Sequence, residues 1–280
     1  MKMSLVDLIE FPVLGDKRGS LIALEAMKNI PFDIKRVYYI FGADQNTPRG
    51  LHAHKELQQV AICVAGRCRM ILDDGYTKEE VWLDSPEKAV SIGNLWHEMH
   101  DFSHDCVLLV LASNHYDESD YIRDYEEFSK RVKVQLCDYD KSILDKSWKW
   151  FSDENFRKLT MTPKFSHTQQ MEFYNSLSSR KDYHIFGIKY DNVVIGACGL
   201  KNFVSNTAEL WIYIGDVEYQ SRKLGPIIME LLENYARSLQ LATLRLKVWD
   251  QNVRAINLYK SRFFIEIEKN ENVVVMELDL

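Results

Sequence analysis

His52 and His54 stand two residues apart between Arg49 and Lys55, in the segment Arg49-Gly50-Leu51-His52-Ala53-His54-Lys55. On an extended strand, residues i and i+2 face the same side, so both imidazoles can enter one pocket. Histidine titrates near neutrality. An imidazole pair beside fixed positive charge therefore suits proton transfer on a phosphorylated or nucleotide-linked substrate. Four residues separate His54 from Gln59, and six separate Gln59 from Gly66.

This rhythm resembles the metal motif of the cupins, in which the Gln59 position is a Glu. A neutral amide is a poorer ligand for a divalent cation than a carboxylate, so no metal is expected. Gly93-Asn94-Leu95-Trp96-His97 resembles a second cupin motif, with its histidine one residue further along. Further blocks are similar to the dTDP-sugar 3,4-ketoisomerases, a cupin family of nucleotide-sugar biosynthesis. They are Gly15-Asp16-Lys17-Arg18-Gly19-Ser20-Leu21, Lys35-Arg36-Val37-Tyr38-Tyr39-Ile40, the Arg49–Lys55 segment, and Ser113 with the run from Tyr116 to Tyr125. The resemblance implies an all-β cupin (jelly-roll barrel) with His52 and His54 as the acid/base pair. It also implies Tyr38 as a hydroxyl relay, although strand parity leaves its neighbour Tyr39 open. Arg18 and Arg49 become candidates for the diphosphate, because a guanidinium offers a fork to phosphate oxygens. Either could instead be a surface ion-pair partner. His97 reads as pocket-lining, and His100 and His104 as surface or structural.

The elements that must carry these groups fit two domains, 1–131 and 132–280, in a chain of 280 residues that is 46% hydrophobic. The first half alternates short apolar runs with turn residues, among them 60–64, 68–72 and 107–111, as a barrel or sandwich does. Asp74-Gly75 reads as a hairpin turn. The polar stretch Ser129-Lys130-Arg131-Val132-Lys133 reads as the linker. No apolar run is long enough to span a bilayer, and the N-terminal residues lack the layout of a signal peptide. Five cysteines, an odd number without metal spacing, suggest reduced core residues of a cytoplasmic protein. A net charge of −6 argues against a nucleic-acid partner.

Beyond residue 133 the pattern becomes mixed. A strand is expected at 134–137, helical sequence from Ser142 to Thr160, and a hairpin of 183–190 with 193–200 around Asp191-Asn192. A strand at 209–215 should lead through Gln220-Ser221-Arg222-Lys223-Leu224-Gly225 into a helix opened by Pro226, with Ile228, Leu231, Leu232, Tyr235 and Leu239 at helical spacing. Strand 244–248, helix 252–261 and strand 273–278 complete an α/β order. This resembles the GNAT family of acetyl-CoA-dependent N-acetyltransferases. In that family the Gln/Arg-x-x-Gly-x-Gly/Ala loop and the helix N-terminus cradle the CoA pyrophosphate. Gln220 and Gly225 match, and Lys223 replaces the first Gly. The resemblance thus implies Gln220, Arg222, Lys223, Leu224, Gly225 and Asn252 as CoA-binding positions and acetyl-CoA as cosubstrate. Asn252-x-x-Ala255-x-x-Leu258-Tyr259 matches the second motif, with Tyr259 as the acid that protonates the departing thiolate. The Gly-Phe that usually follows is Phe263-Phe264. Glu209 is the carboxylate placed to act as base for the acceptor amine.

Together the resemblances imply a bifunctional enzyme of dTDP-linked 6-deoxy keto and amino sugars. One domain moves a 4-ketone to C-3, a separate PLP-dependent aminotransferase makes the amine, and the other domain acetylates it. The product would enter a bacterial surface polysaccharide such as O-antigen, and the cupin domain would form a homodimer. Two alternatives remain open: a metal-free cupin 3,5-epimerase fused to an acetyltransferase, and a sugar-sensing cupin fused to a protein acetyltransferase.

Overall fold

The computed structural model describes residues 4–280, and the chain forms two compact units that divide between Val132 and Lys133. The first carries β1 (Asp7–Glu10), β2 (Leu14–Asp16), β3 (Gly19–Leu21), β4 (Arg36–Phe41), β5 (Arg49–His54), β6 (Gln59–Ala65), β7 (Cys68–Asp73), β8 (Lys78–Leu83), β9 (Lys88–Ile92), β10 (Trp96–His100), β11 (Val107–Ala112) and β12 (Tyr121–Ile122), and ends in helix α1 (Tyr125–Lys133). Two five-stranded sheets form, in the orders β1-β9-β6-β11-β4 and β12-β5-β10-β7-β8, and β2 and β3 make a separate hairpin. Inward side chains of both sheets, including Ala61, Met70, Leu72, Met99, Leu108 and Val110, fill the space between them. The other face of the first sheet is covered by Phe11, Ile30 and Phe32, which pack on Val60 and Ile62. With both faces buried, β6 reads as a continuous apolar run and lacks the alternation of a half-exposed strand.

The expected linker at 129–133 is part of α1. Its polar residues make (i, i+4) ion pairs, Glu126–Lys130 and Glu127–Arg131, while Phe128 packs on Ala53, Trp96 and Ile122. A second difference concerns the cysteines. All five are free, and the fold gathers the sulfurs of Cys63, Cys68 and Cys106 within 4.8 Å inside the core, a set their spacing does not reveal. Burial foremost pushes Cys106 up to about 12, so it is a thiol at neutral pH.

The second unit carries β13 (Val134–Asp138), α2 (Lys141–Trp150), α3 (Glu154–Leu159), α4 (His167–Ser176), β14 (Tyr183–Tyr190), β15 (Val193–Val204), β16 (Thr207–Ile214), α5 (Gly225–Ser238), β17 (Thr243–Trp249), α6 (Val253–Ser261), β18 (Ile265–Asn270) and β19 (Val273–Asp279). Its sheet runs β13-β14-β15-β16-β17-β19-β18. The strand at the far edge is β18, whose residues are all exposed and give no apolar signal. The helical stretch from Ser142 breaks into α2 and α3, each opened by an aspartate, Asp140 and Asp153, whose carboxylate accepts from first-turn amides. Asp191 and Asn192 both take positive φ, as a two-residue hairpin turn requires. Helix α5 buries Ile228, Leu232 and Ala236 against β15, β16 and β17. Among the described residues no helix is long and apolar enough to cross a membrane.

Candidate active sites

In the first unit, polar side chains gather at one end of the space between the sheets. His52 and His54 face inward from β5, and His97 pairs with His52 from β10. The Nε2 atoms of His52 and His54 are 3.2 Å apart, and the His52 and His97 ring centroids are 4.4 Å apart. The Tyr121 ring lies against both, tilted to His52 with centroids 4.9 Å apart and edge-on to His54 at 4.3 Å. Asp120 closes the chain of contacts: its Oδ2 lies 2.7 Å from His54 Nδ1, and its Oδ1 accepts from the Glu56 amide at 2.9 Å. Asp120 carries no spacing signal, because 66 residues separate it from His54; pairing of β12 with β5 brings them together.

Burial foremost depresses all three imidazoles. His54 falls to about 4 and His97 to about 3, each further lowered by the neighbouring rings, while Asp120 partly offsets the shift at His54. His52 shifts in the same direction, chiefly by desolvation. At neutral pH the site therefore holds uncharged imidazoles able to accept a proton. The Asp120 carboxylate accepts only, so His54 donates through Nδ1–H and presents a lone pair at Nε2. The His52 Nε2–H then donates to it, and the proton-free nitrogen of His52 is Nδ1, which is buried without a hydrogen-bond partner.

Tyr38 is the inward member of its pair, and Tyr39 is 62% exposed. The Tyr38 hydroxyl accepts from Gln59 Nε2 at 2.9 Å, which leaves its own proton to donate, and burial raises it to about 12. Arg36, not singled out by spacing, lies 5.2 Å from the Tyr38 ring centroid and 5.7 Å from that of Tyr116, with its Nε buried and unpartnered. Arg49 reaches the face of His52 through a bulge. His52 pairs with His97 but Gly50 pairs with Glu98, so Leu51 is skipped and Arg49 faces Met99 on the inner side. Gly50 is required there: φ is +82°, and a Cβ would lie 2.8 Å from the His97 carbonyl oxygen. Arg18 is not brought to this cluster. It sits on the β2–β3 hairpin with its side chain 84% exposed, ion-paired with Asp16 two residues away.

The ring nitrogens of His52, His54 and His97 lie within 4.8 Å of one another and could hold a metal ion. The donor set offers such an ion little charge. Gln59 contributes an amide that is already turned to Tyr38, and Asp120 is turned to His54.

In the second unit, β16 and β17 pair in parallel only from Thr207–Glu209 to Thr243–Arg245 and then diverge. The opening forms part of a cavity of about 1070 Å³, lined along one wall by Phe151, Phe156, Tyr183, Trp211 and Tyr213. Gln220 fixes the loop that follows β16 by donating to the Ile214 carbonyl at 3.0 Å. Lys223 takes φ +57°, the left-handed conformation a glycine would adopt, so the loop keeps its path without that glycine. Gly225 begins α5 against Leu258, whose Cδ2 would lie 2.8 Å from an added Cβ. No side chain caps α5.

Other expected positions serve differently. Leu224 is 1% exposed and packs into the core of the unit. Arg222 folds back, donating to the Glu218 carbonyl and lying 4.4 Å over the Tyr219 ring centroid. Asn252 caps α6 by accepting from the Ala255 amide and donates to the Leu159 carbonyl, so its amide is engaged by the fold. Tyr259 lines the cavity, 7% exposed, with burial raising its hydroxyl to about 12. Phe263 takes φ +66° after α6, again the conformation of the missing glycine, with its ring 81% exposed. Glu209 sits among cations. Lys201, Asn202 and Lys247 surround its carboxylate and hold it below the usual range although burial opposes them. Lys201, Lys247 and the aromatic wall escaped the sequence reading, because only strand pairing brings them together.

The family described as FdtA (WxcM-like, C-terminal) matches residues 4–133, and the acetyltransferase (GNAT) family matches residues 144–263. Over 130 residues the chain is 57% identical to the TDP-4-oxo-6-deoxy-alpha-D-glucose-3,4-oxoisomerase of Aneurinibacillus thermoaerophilus, covering 46% of this chain and 94% of that protein. Among solved structures, a 3,4-ketoisomerase from Helicobacter canadensis is 47% identical, covering 46% of this chain and 98% of that one, with a TM-score of 0.45. The WlaRB TDP-quinovose 3,4-ketoisomerase of Campylobacter jejuni is 49% identical, covering 45% and 98%, with a TM-score of 0.44. The chain thus joins a sugar-nucleotide isomerase domain to an acetyltransferase domain. Through its first unit it belongs to the FdtA-like 3,4-ketoisomerase family.

Proposed function

We propose that the first unit converts dTDP-4-keto-6-deoxyglucose to the 3-keto sugar, and that the second N-acetylates the derived dTDP-3-amino-3,6-dideoxyhexose with acetyl-CoA. The observation that carries this reading is the Asp120–His54–His52 chain within a unit 57% identical to an oxoisomerase. His52, the most open of the three rings, takes the C-3 proton on Nδ1, its proton-free nitrogen, which the bound substrate must uncover, and His54, held by Asp120, stabilises the charge that results through the His52 Nε2–H. The C-4 oxygen gains a proton as the enediol forms, with Tyr38 as donor. The Tyr38 phenolate then takes the O-3 proton, and the imidazolium formed on His52, which exchanges its proton with solvent, protonates C-4. Arg36, with an unpaired Nε–H, stabilises the developing oxyanion, and Arg49 holds the diphosphate at the rim. No metal is needed for these steps.

In the second unit the first turn of α5, with Lys223, holds the CoA pyrophosphate. The amine nitrogen attacks the thioester carbonyl, the C–N bond forms, the C–S bond breaks, and Tyr259 protonates the sulfur while the amine proton passes to solvent. A separate PLP-dependent aminotransferase makes the amine between the two steps. The free cysteines support a cytoplasmic enzyme, and the product suits O-antigen assembly. The exposed strip Val37, Tyr39 and Phe41 on edge strand β4 supports a homodimer through the first unit.

Proton NMR of the substrate incubated with the protein in deuterated water tests the isomerase. The expected product is a 3-keto sugar deuterated at C-4, absent with His52→Asn. Exchange at C-3 and C-5 with the ketone still at C-4 would place the epimerase first, and binding without turnover the sensor.

A further inference from the structure

The cavity of the second unit has cations at two ends, and acetyl-CoA accounts for one. Lys223 lines the cavity where β16 feeds the loop and α5, and Arg254 lines it from α6. Lys201 and Lys247 line another part. They lie on β15 and β17, the two neighbours of β16, and Glu209 stands between them. Its Oε1 is 3.1 Å from Lys201 Nζ, and its Oε2 is 3.7 Å from Lys247 Nζ and accepts from Asn202 Nδ2 at 3.1 Å. The carboxylate is only 14% exposed. Two ammonium groups against one carboxylate leave this place positive.

Ile214, where the loop begins, lies five residue steps along β16 from Glu209, roughly 17 Å at the usual strand rise. One pyrophosphate cannot engage both cationic groups over that span. Between them lies Trp211, whose Nε1–H is buried without a partner. Its indole crosses Gly199, where a Cβ would come 3.1 Å from Cζ2, and its centroid is 6.0 Å from that of Tyr183. A positive patch repels the ammonium of a polypeptide lysine and attracts an acceptor that carries phosphate. Aromatic faces beside it suit the apolar face of a sugar or a base.

We propose that Lys201 and Lys247, positioned by Glu209, form the binding site for the diphosphate of the amine acceptor, separate from the site for the CoA pyrophosphate. The inference rests on the N-acetyltransferase reading given above. It assigns Glu209 to holding the two lysines, in place of proton abstraction.

The test compares thiol release from acetyl-CoA with two acceptors: the nucleotide-linked 3-amino sugar and the methyl glycoside of the same amino sugar. The wild-type protein is expected to prefer the nucleotide-linked amine in kcat/KM. Lys201→Gln and Lys247→Gln are each expected to reduce that preference about tenfold, the loss of one charge-assisted contact, through the KM for the acceptor. Lys247→Arg, which keeps the charge, should restore it, and the KM for acetyl-CoA should hold throughout. Equal kcat/KM for the two acceptors in the wild type overturns the diphosphate site and leaves N-acetyltransfer standing. No thiol release with either acceptor overturns both. A raised KM for acetyl-CoA in the lysine variants assigns them to the cosubstrate and also overturns the proposal.

Discussion

Replacing Asp120 by Asn tests whether the carboxylate sets the state of both histidines. Asn is nearly isosteric, and its Oδ1 can keep the bond from the Glu56 amide that Asp120 Oδ1 accepts at 2.9 Å. The difference falls on His54. An amide NH2 facing Nδ1 at 2.7 Å makes Nδ1 the acceptor and moves the proton to Nε2. That N–H then points at His52 Nε2, 3.2 Å away, and reverses the tautomer of His52 as well. The variant also loses the negative charge that steadies the pair when it takes the substrate proton. A charge-assisted hydrogen bond contributes about 1.5–3 kcal/mol, and a buried one lies near the top of that range. With tenfold per 1.4 kcal/mol, kcat should fall roughly 100-fold, and further if the wrong tautomer is locked. The assay is initial-rate formation of the 3-keto product, with substrate affinity measured separately. A folded Asp120→Asn protein retaining a rate within threefold of wild type would refute the coupling of Asp120, His54 and His52.

Other outcomes test the rest. His54 titrates near 4 in the fold against 6.5 in the unfolded chain, so the unfolded state binds the proton first as the pH falls. That costs roughly 3 kcal/mol between pH 6.5 and 4, and urea midpoints should fall in that window less steeply for His54→Gln; equal slopes would remove His54 as the cause. Tyr259→Phe should lower kcat for acetyl transfer about 100-fold with the KM for acetyl-CoA little changed, and an unchanged kcat would exclude the hydroxyl as acid. Phe263→Gly relieves a left-handed residue whose ring is exposed and should stabilise the second unit by about 0.5–1 kcal/mol in thermal melts. Dialysis against a chelator should leave isomerisation within twofold, whereas loss restored by a divalent cation would show that the three imidazoles work through a metal.

Short-range pattern was enough for much of this protein. The His-x-His pair, the strand and helix periods, the turn at Asp191-Asn192 and the loop from Gln220 to Gly225 are local, and their physics acts within a few residues. Other features follow from what each group meets in the fold. The polar run 129–133 is helical because Phe128 finds Ala53, Trp96 and Ile122. Asn252 serves the start of α6, and Arg18 pairs with Asp16 away from the histidines. Asp120, Arg36 and Lys247 gained their places through strand pairings that no spacing encodes.

By itself the sequence determined which groups were available and, along an uninterrupted strand or helix, which of them share a face, because side-chain direction follows from backbone period. The tertiary structure decided which groups meet and what charge they carry. The bulge at Leu51 turns Arg49 to the face of His52. Burial keeps three histidines uncharged at neutral pH. Two lysines hold the Glu209 carboxyl below its usual range against the pull of burial. Those properties depend on dielectric and distance, which exist only once strands far apart in the chain are side by side.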